Sequence, residues 1–354
     1  PLLGPVKIGL LMRYFGSALE ILEAPVQEIA ALPGFGPKVM GGWGHWNYDE
    51  AWKKNIELVH KYNVTRIPYN DPSFPALLRG IPDAPILLYV KGTLKPSDDE
   101  AIAVIGTRTA SHYGLEMAER FGTDLAREGM TVISGLARGV DTAAHKGALK
   151  GGRTIAVIGS GLADVYPREN RGLAEAIAAN GALISEFPML APPDRTNFPQ
   201  RNRIVSGMSK GVLLIEAPQK SGAMLTMQLA QRHKRRLFAL PGRVDTETFR
   251  GNSLLIKTGQ AQLVERADDI LFAFDDLFTR KKAVSAAEPK KRAIVLQEDE
   301  IQLLKLMPDD EVSIDTMVSL TKLPVNKLSV LLMGLLLKQV IKEYPGKLYK
   351  KSLS

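Results

Sequence analysis

Short apolar runs recur through the middle of the chain: Pro85 to Val90, Ala101 to Ile105, Met130 to Ser134, Thr154 to Ile158, Ala182 to Ser185, Gly211 to Ile215 and Arg236 to Leu240. Each is four to six residues long, rich in Val, Ile and Leu, and unbroken by polar alternation. Strands buried on both faces of a parallel sheet carry this pattern. Helical periodicity fills the intervals, over Tyr113 to Glu128, Asp141 to Leu149, Arg168 to Ala179 and Gly222 to His233. Strand and helix alternating with short connections predict a doubly wound α/β domain over residues 84–275.

The flanks read differently. Val6 to Phe15 has a helical apolar pattern stopped by Gly16, Ile21 to Leu32 repeats it, and Trp52 to Tyr62 predicts a third helix. The prolines of Asp71-Pro72-Ser73-Phe74-Pro75 predict a loop. Residues 1–75 are therefore expected to be a small helical domain and 76–279 the α/β domain. Residues 280–292, RKKAVSAAEPKKR, read as a basic linker. Beyond it, Asp299 to Met307, Ile314 to Thr321 and Val325 to Val340 predict three helices, and the alternation around Pro345-Gly346 predicts a hairpin. Three helices and a hairpin within 293–354 suggest a winged helix.

Cysteine is absent, which excludes disulfides, thiolate metal sites and a cysteine nucleophile. The five histidines form no metal-spaced pair, so neither metal nor cofactor is expected. No apolar stretch approaches the roughly 20 residues of a membrane span, and Pro1 to Leu11 lacks the marks of a signal peptide. The expected location is the cytoplasm, with no membrane partner. The 46 basic residues against 38 acidic ones give a net charge of +8, which suits a polyanionic partner.

Ligands of open parallel sheets gather beyond the carboxyl ends of the strands. Glycines there let backbone N–H groups approach an anion, and a following helix start adds partial positive charge. The candidate phosphate-contacting positions are Ser134, Gly135, Gly139, Gly159, Gly161, Ser221 and Gly222. Gly159-Ser160-Gly161-Leu162-Ala163-Asp164 begins like a dinucleotide fingerprint but has a carboxylate where the third glycine belongs. No P-loop motif is present either.

The densest feature is Arg195-Thr196-Asn197-Phe198-Pro199-Gln200-Arg201-Asn202-Arg203, with three arginines and no acid. Guanidinium groups fork onto phosphates, amides reach base edges, and a phenylalanine offers a stacking face. The same composition also fits a buried Phe staple with arginines paired to neighbouring carboxylates, and both readings stand. Arg232-His233-Lys234-Arg235-Arg236 reads as a solvated helix end. Asp141 and His145 read as a cap with a local hydrogen bond, and Glu186 and Glu216 as isolated carboxylates at strand ends. In the N-terminal region, Gly34, Gly36 and Lys38 of Leu32-Pro33-Gly34-Phe35-Gly36-Pro37-Lys38 resemble a helix-hairpin-helix turn that could touch a DNA phosphate.

Several motifs occur together and in order: Gly106-Thr107-Arg108, SGLARGVDTAAHKGAL (134–149), TIAVIGSGL (154–162), YP (166–167), ISEFP (184–188), FPQRNRIVSG (198–207), IEA (215–217), SGAMLT (221–226) and ALPG (239–242). The set closely resembles the DprA/Smf family, the DNA processing proteins of natural transformation. The resemblance implies an extended Rossmann-like central domain, a sterile-alpha-motif-like N-terminal domain and a C-terminal winged helix. It further implies binding and protection of incoming single-stranded DNA, loading of RecA recombinase, a homodimer joined through the central domain, and no catalytic step. By the same resemblance Gly106, Thr107, Arg108 and Thr109 meet DNA together with Arg195, Asn197, Phe198, Pro199, Arg201, Asn202 and Arg203, the phenylalanine stacking on a base.

Two other classes compete. Cytokinin-activating phosphoribohydrolases share the fold and carry P-G-G-x-G-T-x-x-E. With Thr226 aligned on the motif's threonine, only Gly222 and Thr226 match, and Leu229 replaces the glutamate. A transcription regulator would need a basic recognition helix, whereas Val325 to Val340 carries little charge beyond Lys327 and Lys338. Leu328, Leu331, Leu332 and Leu335 make its core face, leaving Val330, Met333, Leu336 and Leu337 as further apolar side chains.

Overall fold

The computed structural model describes residues 4–41, 43, 50–274, 296–308, 310–338, 340–344 and 346–351. Two compact units make up the chain, Pro1–Thr279 and Arg280–Ser354. The expected linker at 280–292 lies outside the described residues.

The first unit opens with α1 (Pro5–Phe15), α2 (Ala18–Glu23), α3 (Val26–Ala30) and α4 (Pro37–Met40). Gly16, at φ +85°, ends α1, as the pattern predicts. The single helix expected over Ile21 to Leu32 is two, because Pro25 cannot continue the backbone ladder and instead opens α3. Leu11, Ile21, Ile29, Phe35 and Trp43 form a small core of their own.

After α5 (Glu50–Lys61) comes β1 (Thr65–Pro68), a strand inside the segment expected to be wholly helical. It pairs antiparallel with β2 (Leu87–Gly92), which follows α6 (Ala76–Arg79). Then strand and helix alternate: β3 (Ala101–Ile105), α7 (His112–Arg127), β4 (Thr131–Ser134), α8 (Val140–Gly151), β5 (Thr154–Val157), α9 (Arg171–Asn180), β6 (Ala182–Ser185), α10 (Asn197–Gly207), β7 (Gly211–Leu214), α11 (Gly222–Arg232), β8 (Arg236–Ala239), α12 (Arg250–Lys257), β9 (Gln262–Leu263) and α13 (Ala267–Phe274).

These strands form one sheet in the order β1-β2-β6-β5-β4-β3-β7-β8-β9. All neighbours from β6 to β9 are parallel. The run at Pro85 to Val90, expected to be parallel, is antiparallel to β6. No crossover helix links β2 to β3, so the chain adds β2 as an antiparallel margin to a parallel core. Strand β3 alternates sides as a pleated strand must. Ala101, Ala103 and Ile105 join a core with Ile204 of α10 and Met227 of α11. Ile102 and Val104 face Phe121 of α7 and Ala144 of α8. Both faces are thus covered by helices.

The second unit contains α14 (Glu298–Leu306), β10 (Val312–Ser313), α15 (Ile314–Thr321), α16 (Val325–Leu337), β11 (Ile341–Tyr344) and β12 (Leu348–Lys351). Its three-stranded sheet, ordered β10-β12-β11, closes a core containing Leu328, Leu331, Leu332 and Leu335 of α16. This is a winged helix.

Candidate nucleic-acid interface

From β3 the chain winds outward through β4, β5 and β6, then returns to place β7 on the other side of β3. The loops after β3 and β7 therefore diverge, and such a switch point opens a crevice at the carboxyl edge of the sheet. A cavity of about 370 Å³ occupies it. Gly106, Thr107 and Arg108 line it from β3, Phe198, Arg201 and Asn202 from α10, and Lys220, Ser221 and Gly222 from the approach to α11.

The first wall is held by a buried carboxylate. Glu216, at the end of β7, accepts from the Ser111 hydroxyl at 2.7 Å and the Ser111 N–H at 3.0 Å. Ser111 also caps α7, and its helix turn passes so close that a Cβ at Gly114 would lie 2.0 Å from Glu216 Oε2. Glu216 anchors the loop that carries Arg108 and does not face the cavity. Arg108 itself is exposed, its guanidinium 5.3 Å from the centroid of the Phe198 ring.

The opposite wall is α10, whose composition fits both a nucleic-acid contact and a packed staple. Asp194 starts it: its carboxylate accepts from the Thr196 N–H and hydroxyl, and its carbonyl accepts from the Asn197 N–H. Pro199 fits because it sits in the first turn, where no N–H partner is lost. The helix then sorts its side chains. Pro199 and Gln200 are exposed, as is Arg195 just ahead of the helix; Asn197, Phe198 and Asn202 are half-buried, Arg201 and Arg203 buried.

Arg201 forms the cavity floor. Its Nη1 donates to the carbonyls of Gly135 and Val157, and its Nε donates to Asn202 Oδ1 at 3.2 Å. A Cβ at Gly135 would lie 2.1 Å from Nη1, so a larger residue there would push this guanidinium aside. Asp141 also lines the cavity and accepts from the N–H groups of Gly135 and Ala137. Burial pushes the Asp141 carboxyl up, against the opposing pull of Arg201 and these N–H donors. Burial lowers Arg201 and Asp141 opposes that shift.

Arg203 departs from expectation. It turns inward, donates to Glu186 and lies 3.8 Å from Asp83. It ties α10 to the end of β6 and is absent from both cavity walls, so the buried-pair reading holds for this arginine. Asp141 and His145 do not pair with each other. The His145 ring shares a 2.7 Å hydrogen bond with Thr154, and burial, reinforced by Arg201, lowers its pKa to about 3.

The candidate phosphate loops divide. Gly135, Ser221 and Gly222 line the large cavity, with Ser221 capping α11 by accepting from the Met224 N–H. Gly159 lines a smaller neighbouring cavity of about 50 Å³, where the Tyr166 ring faces Phe198. Ser134 and Gly161 are buried and engaged, the serine hydroxyl with the Val104 carbonyl and the glycine N–H with the Ala191 carbonyl. Gly139 holds φ +73°, and a Cβ there would lie 2.4 Å from the Thr107 carbonyl. Gly34 and Gly36 flank buried Phe35 in the N-terminal helical core, and the Lys38 side chain lies outside the described residues. Lys220, Tyr166 and Arg138 line the cavities but are not among the candidate site residues of the sequence; Arg138 and Tyr166 lie inside the SGLARGVDTAAHKGAL and YP motifs, and Lys220 directly precedes the SGAMLT motif.

Comparison with known proteins places the whole chain. The family model of DNA recombination-mediator protein A matches residues 65–275, and that of the DprA winged helix domain matches 286–347. Protein Smf of Synechocystis sp. is 30% identical over 383 residues, spanning 98% of this chain and 95% of its own. The DNA processing protein DprA of Streptococcus pneumoniae is 39% identical over 206 residues, 58% of this chain and 72% of its own. An X-ray structure of DprA from Streptococcus pneumoniae superposes with a TM-score of 0.68 at 33% identity, covering 77% of this chain and 94% of that one. A structure of DNA processing protein A from Helicobacter pylori, determined for its single-stranded DNA binding mode, gives 0.55 at 30% identity over 60% and 95%. A chain with this doubly wound sheet, this winged helix and these matches belongs to the DprA/Smf family.

Proposed function

We propose that the chain binds single-stranded DNA in the crevice between β3 and β7. The observation that carries this reading is the meeting of Arg108, Phe198 and Arg201 around one cavity. Arg108 is the reachable cation and draws a phosphate to the rim. Arg201, already fixed by two carbonyls, supplies charge at the floor without reorganising. Lys220 and the start of α11 add donors on the far wall. Phe198 offers a ring face to one base. Stacking needs a base free of its complement, so single strands bind better than duplex. The Helicobacter pylori relative, studied for its single-stranded DNA binding, supports the assignment.

By membership of the family, the reading extends to protecting incoming DNA and handing it to RecA during natural transformation, as a cytoplasmic homodimer joined through the α/β unit, with no catalytic step. The test is fluorescence anisotropy of labelled oligo-dT and a matched duplex with the wild-type chain, Arg108→Ala and Phe198→Ala. Single strands should win, and each substitution should weaken binding about tenfold, in line with roughly 1–3 kcal/mol per stacked base. Absence of wild-type binding would sink the reading and bring nucleotide hydrolysis forward.

A further inference from the structure

We propose that Tyr166 and Phe198 are the two jaws of an aromatic clamp that closes on a single unpaired nucleobase. The proposal rests on the single-stranded DNA reading above and adds a second stacking surface to it.

The two rings come from different elements, Phe198 from the first turn of α10 and Tyr166 from the loop after β5. Their centroids are 6.0 Å apart and their planes are inclined at 47°. A base sandwiched between two rings needs about 7 Å, twice the ~3.4 Å spacing of stacked bases. Widening by about 1 Å and turning the tyrosine parallel to the phenylalanine would therefore seat a base.

Tyr166 is 41% exposed, so solvent borders the ring on one side. Its loop is nevertheless held at both ends. The Ser160 hydroxyl donates to the Asp164 carbonyl, and Asn170 donates to the Leu136 carbonyl and the Thr142 hydroxyl. Buried Pro167 follows the ring directly. The phenylalanine jaw is backed by Gly159, where a Cβ would lie 3.0 Å from Phe198 Cδ1.

Both rings line a hollow of about 50 Å³. Arg108, Arg138 and Arg201 line it, Arg138 paired with Glu169, and among the described residues no carboxylate lines it. Phosphates on either side of a clamped base would thus meet guanidinium groups. Arg108 and Arg201 line the larger cavity as well, so the clamp is continuous with the crevice.

Binding of short oligo-dT would be measured by anisotropy for wild type, Tyr166→Ala, Tyr166→Leu, Tyr166→Phe and Phe198→Ala. Tyr166→Ala and Tyr166→Leu should each weaken binding about tenfold, while Tyr166→Phe stays within about twofold. The leucine keeps apolar bulk beside Phe198, so near-normal affinity in that variant would reduce Tyr166 to a packing residue and overturn the clamp. Tyr166→Trp gives an independent reading should the alanine variant fail to fold. Stacking should quench the new indole as thymidine binds, and unchanged emission at saturation counts against the proposal. The two levels separate cleanly. If Phe198→Ala weakens binding and Tyr166→Leu does not, only the clamp fails; if wild type does not bind, the reading beneath it fails too.

Discussion

Arg201 and Arg203 stand two positions apart in α10, and at 3.6 residues per turn they leave the helix in widely different directions. One reaches the crevice floor, the other a buried pair with Glu186. Removing one partner of such a pair leaves an uncompensated buried charge. Arg203→Ala should therefore destabilise the fold by about 3–5 kcal/mol in urea titration, and Glu186→Gln with Arg203→Met should recover part of that loss. His145 makes a second prediction. Its folded pKa, about 3, lies below the ordinary value of 6.5, so between these values the unfolded chain holds a proton that the folded chain does not. Stability is then greatest above 6.5 and falls as pH drops below it. Thermal unfolding from pH 7 down to 5 should show this decline, flattened in His145→Asn. Neither arginine's fate was readable from composition, since a guanidinium paired to a carboxylate and one facing a phosphate look alike in sequence.

The apolar runs located the strands from β3 to β8 because continuous burial leaves no other composition for them. Strand β1 escaped notice: Thr65-Arg66-Ile67-Pro68 buries only Ile67, so it lacks an apolar run. Helix α10 carried no helical assignment in the sequence, because its polar residues and Pro199 show no apolar periodicity; Asp194 starts it in the structure. Helix α16 was legible in both respects. Its leucines form the core, and Val330, Met333 and Leu337 remain 71%, 59% and 80% exposed. Its lysines face acids of α14, Lys327 at 3.0 Å from Asp299 and Lys338 at 2.6 Å from Glu300. Such a surface is poorly suited to phosphates. Lys327→Ala in the full chain should leave duplex affinity within about twofold by gel shift, and a tenfold loss would assign this helix to DNA.

For the whole molecule, the net charge of +8 matters less than where cations gather. Arg108, Arg201 and Lys220 line one crevice. If two or three phosphates are neutralised there, log K for oligo-dT should fall against log salt with a slope of roughly −1.5 to −2, at about −0.7 per phosphate. Arg108→Ala should make the slope shallower by about one such increment, whereas Phe198→Ala should lower affinity and leave the slope in place. Anisotropy at four salt concentrations separates charge from stacking.

Periodicity and motif order alone determined the alternating α/β core, the helical flanks, the winged helix and the stretch around Phe198 as the place to look. These follow from local rules, because burial dictates composition and turns demand particular residues. Tertiary structure decided the rest. It alone set β2 against β6, turned Arg203 inward, placed Glu216 under the Arg108 loop, and brought Tyr166 to within 6.0 Å of Phe198. Each depends on contacts between residues far apart in the chain, and no local pattern records which distant backbone a side chain will meet.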